Sequence, residues 1–166
     1  MKISSLVWLI IISFMYILPW CLTENLPSDY LKVHNGARAR VGVKPLKWHP
    51  GLQSYARMHL SKYTRNCMPR SSSHGPYGEN ISSSVDEVGP LKEVSGKQVV
   101  EMWVEQKHNY NEETNSCDGG ECLSYIQVVW RDSTHVGCAR VQCYNGSYMV
   151  ACNYYPPANY PAQRPY

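Results

Sequence analysis

Phenylalanine is almost absent from this chain: its only one, Phe14, lies in an apolar run at the N-terminus. The aromatic part of any core must come from tyrosine and tryptophan, and a buried tyrosine can still send its hydroxyl to a polar partner. Strong charge is missing too. The formal net charge is +3 in 166 residues, too mild and too scattered to suggest a nucleic-acid partner. No Cys-x-x-Cys pair occurs among Cys67, Cys117, Cys122, Cys138, Cys143 and Cys152, which leaves a zinc ribbon without its ligand spacing. Beyond the N-terminus no apolar stretch is long enough to span a bilayer.

What is present points to export. Met1-Lys2 is a short cationic start, and Ile3 to Trp20 is almost wholly apolar. Pro19 and the polar exit after it favour a secretory signal peptide over residues 1–23 rather than a membrane anchor. The remaining 24–166 reads as one domain, long enough to bury roughly two-thirds of its unfolded surface. Removing Cys21 leaves six cysteines, an even set that in a secreted chain implies three disulfides.

Pro27-Ser28-Asp29 opens a first helix, with Ser28 or Asp29 as its cap, Leu31, His34, Ala37, Arg38 and Val41 on one face, and Gly42 as its stop. A second helix starts at Pro50 and carries Leu52, Tyr55, Ala56, His59, Leu60, Tyr63 and Cys67 on one face; His59 reads as a core histidine. Ser71 to Asn80 is a turn-rich loop entering a strand, and residues 82–97 read as an exposed connection. A third helix runs from Val99 to about Tyr110. Tyr125 to Trp130, β-branched and aromatic, predicts a strand. Cys138 to Cys143 and Tyr148 to Tyr154 form a hairpin around Asn145-Gly146, the strongest short hairpin signal.

Several stretches resemble one family. Gln127-Val-Val-Trp-Arg131 with Val136-Gly-Cys-Ala-Arg140, Gly75-Pro-Tyr-Gly-Glu-Asn80, and the first-helix His34-Asn35 with Arg38 are similar to the CAP superfamily (cysteine-rich secretory proteins, antigen 5, pathogenesis-related class 1), nearest its plant pathogenesis-related branch. The resemblance covers Asp29 to Tyr166. It implies an α+β fold: a three-layer α-β-α sandwich with a mainly antiparallel central sheet. It also implies the pairs Cys67–Cys143, Cys117–Cys122 and Cys138–Cys152. Strand parity agrees: Cys138 and Cys143 face opposite sides, and Cys138 can meet Cys152 if the turn carries a one-residue bulge.

In the family, two histidines and two glutamates converge in a cleft and in several members bind zinc. By the same resemblance those positions are Ser72, Glu79, Gln106 and Ser124 here, so only Glu79 is retained. Hydroxyl and amide groups are poor zinc ligands beside imidazole and carboxylate, and the expectation is a degenerate cleft with no metal, no cofactor and no enzymatic activity. His74 and Glu105 are near the lost positions in sequence, but a strand neighbour two along keeps its face while moving about 7 Å, and a helix neighbour turns about 100° away. The family's sterol-binding loop corresponds to His108–Tyr125, with Tyr110 and Tyr125 as its aromatics; its bland alternative is a solvated loop closed by Cys117–Cys122.

The resemblance therefore implies a secreted, monomeric defence protein of the plant apoplast that binds sterol or a related lipid, with pathogen membranes or a plant receptor as further partners. One alternative is the precursor of a signalling peptide, since the proline-rich tail 156–166 resembles the peptide released from plant relatives and should be exposed and cleavable. Another is a metal-dependent hydrolase. Of two glycosylation sequons, Asn80 falls in a buried motif and Asn145, at the hairpin tip, is the better acceptor.

Overall fold

The computed structural model describes residues 25–72, 75–83 and 94–166. The signal peptide expected over residues 1–23, most of the exposed connection and His74 lie outside the described residues. The sheet is built on a hairpin of β5 (His135–Gln142) and β6 (Tyr148–Tyr155). Cys138 pairs directly with Cys152, and Gln142 with Tyr148. Residues 143–147 make the turn, with Gly146 at φ 87°, a backbone region that other residues seldom enter. The register therefore aligns the two cysteines without a bulge within the paired strands.

β2 (Gly78–Ser83) adds antiparallel to the outer side of β6, and β1 (Lys47–Trp48) adds parallel to β5, giving the order β1-β5-β6-β2. Strand alternation sorts the hairpin's side chains onto two faces. Val136, Cys138, Val150, Cys152 and Tyr154 join a core with Tyr30, Val100, Trp103 and Val128. Those partners come from α1 (Pro27–Arg40), α3 (Gly96–Glu105) and α4 (Leu123–Val128). On the other face Ala139, Met149 and Ala151 meet Ala56 and Leu60 of α2 (Pro50–Ser61). The result is the three-layer α-β-α arrangement the resemblance implies. α2 lies so close to the sheet that a Cβ at Gly137 would sit 2.2 Å from the Gln53 nitrogen, so only glycine fits there.

All three disulfides are present: Cys67–Cys143, Cys117–Cys122 and Cys138–Cys152. The first ties the segment after α2 to the sheet. α2 itself ends at Ser61, short of Cys67, and its cap is His49, whose Nδ1 accepts from the Gly51 and Leu52 nitrogens. α1 starts one residue before the expected caps. Asp29 reaches back to accept the Leu26 N–H at 2.9 Å, and the buried face carries Tyr30 rather than Leu31.

One expectation is overturned. Tyr125–Trp130 is not a strand; Leu123–Val128 forms α4, followed by a turn. The apolar run reflects burial on all sides, since every residue from Tyr125 to Trp130 is buried. What favours the helix is distant in sequence. Arg38 of α1, fully buried, donates Nη1 to the carbonyls of Val128 (3.1 Å) and Trp130 (2.8 Å), Nη2 to Ser133 (2.9 Å) and Nε to Lys44 (2.7 Å). A short helix leaves its last carbonyls without partners, and a cation placed there satisfies them and suits the helix dipole. Burial lowers the Arg38 pKa to about 10, so it stays charged at neutral pH.

Candidate functional site

The four cleft positions fall into two hydrogen-bonded pairs. On β2, the Glu79 carboxylate accepts from the Ser72 backbone N–H at 2.8 Å and from the Ser72 hydroxyl at 2.9 Å. At the junction of α3 and α4, Gln106 Oε1 accepts from the Ser124 N–H at 3.1 Å. Asn80, next to Glu79, ties the pairs together by donating Nδ2 to the Ser124 carbonyl at 2.9 Å. This buried amide is 4 % exposed, a state incompatible with a glycan on Asn80 in the folded protein.

His59 lies beside this cleft, with Nε2 at 4.0 Å from Glu79 Oε2. It was expected only as a core residue, and the period of α2's buried face is the one sequence signal that points it inward. Its Nε2 also bonds the Arg70 carbonyl at 2.7 Å. Zinc does not fit this set: Glu79 is the only carboxylate, His59 is engaged with a backbone carbonyl, and Ser72, Gln106 and Ser124 offer neutral oxygens. Glu105 does not help, because it is exposed and stands 3.3 Å from His108 Nε2 on the surface. Among the described residues one cluster could gather three ligand atoms, His34 with Cys138 and Cys152. Its two sulfurs form a disulfide, which leaves no thiolate to bind a metal.

The Ser72 proton is directed to the Glu79 carboxylate, and among the described residues no imidazole bonds that hydroxyl.

A polar spine runs through the core behind the cleft. His34 Nδ1 bonds the Tyr30 carbonyl at 2.8 Å and Nε2 bonds the Tyr154 hydroxyl at 2.9 Å. Asn80 Nδ2 also donates to that hydroxyl, at 3.2 Å. Burial lowers the His34 pKa to about 4, with the Arg38 charge adding to the effect and the Tyr30 carbonyl opposing it. His34 is therefore neutral, donating from Nδ1 and accepting at Nε2. Burial likewise drives the Tyr154 pKa far up. His34, Asn35 and Arg38 thus satisfy buried polar groups, the structural role foreseen for them; Asn35 does so by exchanging two hydrogen bonds with the backbone of Leu46.

The loop 108–125 contains a small ribbon, β3 (Tyr110–Asn111) with β4 (Ser116–Cys117). Tyr110 and Tyr125 do come together, with ring centroids 6.2 Å apart. A third ring joins them. Tyr166, the last residue, stands 6.0 Å from Tyr110 edge to face, and its hydroxyl bonds the Tyr125 hydroxyl (3.3 Å) and Glu112 Oε1 (2.8 Å). Burial first, then these two hydrogen bonds, push the Tyr166 pKa far up.

The tail is therefore docked through several hydrogen bonds, while Pro161 to Arg164 remain exposed, as expected. The Arg131 N–H donates to the Pro165 carbonyl at 2.8 Å, the Asn115 amide to the Pro161 carbonyl, and the Tyr160 hydroxyl to the Asn115 carbonyl. Arg164 donates to the carbonyls of Glu112 and Glu113. Proline does keep the tail out of the sheet, but its remaining backbone and side-chain groups find partners on the loop.

The sandwich and the three bridges define a class. The chain belongs to the CAP family, described as the cysteine-rich secretory protein family, which it matches over residues 31–154. Within that family it is similar to plant proteins: 44% identical to pathogenesis-related protein 1A of Nicotiana tabacum over 92% of this chain and 88% of that one. It is 45% identical to pathogenesis-related protein 1 of Arabidopsis thaliana, over 86% and 84%. Among solved structures, venom allergen-like protein 4 of Schistosoma mansoni shares the fold at a TM-score of 0.65 and 24% identity, covering 87% of this chain and 95% of that chain.

Proposed function

We propose that this is a secreted, non-enzymatic defence protein of the pathogenesis-related kind, which binds a sterol or related lipid at the loop 108–125. The observation that carries the lipid reading is the tyrosine cluster. Tyr110, Tyr125 and Tyr166 gather around one another, and Tyr110 packs against a buried apolar cluster of Cys122, Ile126 and Trp130. Burial raises the pKa of all three hydroxyls, which are neutral at physiological pH in any case. Aromatic rings with polar tips suit a ligand that is apolar along its body and carries one hydroxyl. The non-enzymatic reading is supported by the neutral oxygens at three of the four cleft positions. Asn145, exposed at the hairpin tip, is the glycan site of this reading.

The tail covers part of the cluster, so a lipid enters by displacing Tyr166. Fluorescence titration with a labelled sterol is the test. Binding is expected to weaken when Tyr110 and Tyr125 are both replaced by alanine, and to tighten when residues 161–166 are removed. No binding by either the full chain or the shortened one would exclude the lipid reading.

A further inference from the structure

We propose that a second site, at the opposite end of α2 from its disulfide-tied segment, binds a neutral sugar ring through adjacent hydroxyls. A cleft of about 630 Å³ opens there between the N-terminus of α2, the start of β5 and the end of β6, within the ordinary range for ligand pockets. Tyr77 and Tyr155 form one wall, with ring centroids 6.3 Å apart and planes at 82°. Tyr55 supports Tyr77 from behind at 5.0 Å and 86°. Two perpendicular rings make a corner, and Tyr155, 53 % exposed, is open to the C–H face of a saccharide.

The other wall carries two imidazoles, His49 and His135, with centroids 5.7 Å apart. Their tautomers follow from their inner bonds. His49 Nδ1 accepts from the backbone N–H groups of Gly51 and Leu52, so in the neutral ring the proton is on Nε2. The Thr134 hydroxyl lies 2.9 Å from His135 Nδ1 and 3.2 Å from the Tyr155 carbonyl. With the hydroxyl proton on the carbonyl, His135 donates from Nδ1 and keeps a lone pair on Nε2. Neither Nε2 has a hydrogen-bond partner among the described residues. One wall thus offers a donor and an acceptor side by side.

That pairing selects the ligand. Neighbouring sugar hydroxyls can accept from one ring and donate to the other, while a sterol's single hydroxyl can meet both demands only at one point. Among the described residues the cleft is lined by no Asp, Glu, Lys or Arg, which disfavours a charged ligand. A metal is disfavoured because His49 Nε2 carries a proton and no carboxylate completes the set.

The test is calorimetry on the oxidised protein with three neutral probes: cellotetraose, laminaritetraose and xylotetraose. At least one is expected to bind with a dissociation constant below about 10 mM. His135→Phe keeps a ring but removes both nitrogens, and His49→Asp keeps a cap for α2 while replacing the donor by an acceptor. Each is expected to weaken binding at least about tenfold, with the near-ultraviolet circular dichroism unchanged. Tyr144→Ala, at the most exposed large hydrophobic side chain (81 %), leaves binding as it was. No saturation by any probe overturns the proposal. So does binding that survives both histidine variants, or displacement of the bound probe by a proline-rich decapeptide at equal concentration.

Discussion

Lowering the pH from 7 to 4 should destabilise this protein through His34 in particular. In the unfolded chain a histidine titrates near 6.5, and in the folded protein burial lowers His34 to about 4. Above pH 6.5 both states hold the neutral ring, so His34 contributes no pH dependence there. Between 6.5 and 4 the unfolded state takes up a proton that the folded state refuses, so stability falls as pH falls. The gap of about 2.5 pH units, at about 1.36 kcal/mol each, is roughly 3 kcal/mol. Below pH 4 the loss through this residue is complete. Protonating His34 also costs the acceptor at Nε2, so the Tyr154 hydroxyl is left facing an N–H and the Asn80 amide. Carboxylates titrate in the same window, so the measurement is differential. Urea unfolding of the parent and of His34→Gln is followed by tryptophan fluorescence at several pH values from 7 to 4. The parent should lose roughly 3 kcal/mol more than the variant across that range. Parallel curves, or a His34 ring that titrates near 6.5 by NMR in the native state, would refute the reasoning.

Arg38→Met leaves four carbonyls, three of them buried, without their donor and should cost about 3–5 kcal/mol in denaturant unfolding; Arg38→Lys should recover little, because an ammonium cannot match the planar fork. Replacing Cys67 and Cys143 by alanine opens a bridge of sequence separation 76 and should cost about 4.5 kcal/mol in the chain-entropy picture. Opening Cys117–Cys122, of separation 5, should cost only about 2 kcal/mol; equal losses would contradict that picture. Calorimetry should find no stoichiometric zinc on the parent near neutral pH, whereas Ser72→His, Gln106→Glu and Ser124→His together should create a site. A triple variant that still ignores zinc would mean that these positions do not converge.

The elements legible in the sequence are those whose cause is local. The β5–β6 hairpin follows from strand alternation around Asn145-Gly146, and α2 from a run of apolar residues at helical spacing behind Pro50. The elements that were misread depend on partners far along the chain. Tyr125–Trp130 has the composition of a buried strand, and its helix is capped by Arg38, about ninety residues earlier. The tail has the composition of an exposed segment, but contacts to Asn115, Glu112 and Arg131 hold it through backbone groups that no side-chain pattern reveals. The cleft lies between these cases. Glu79 and its lost companions could be placed by resemblance alone, while the approach of His59 depended on how α2 settles against the β5–β6 hairpin.

Native mass spectrometry of the protein purified from its source tests the lipid-binding, metal-free reading most directly. The predicted spectrum shows the chain without its first 23 residues and with three disulfides intact, carrying a lipid-sized adduct and no zinc. One equivalent of zinc that disappears in Glu79→Ala, or a chain that never carries lipid, would contradict it.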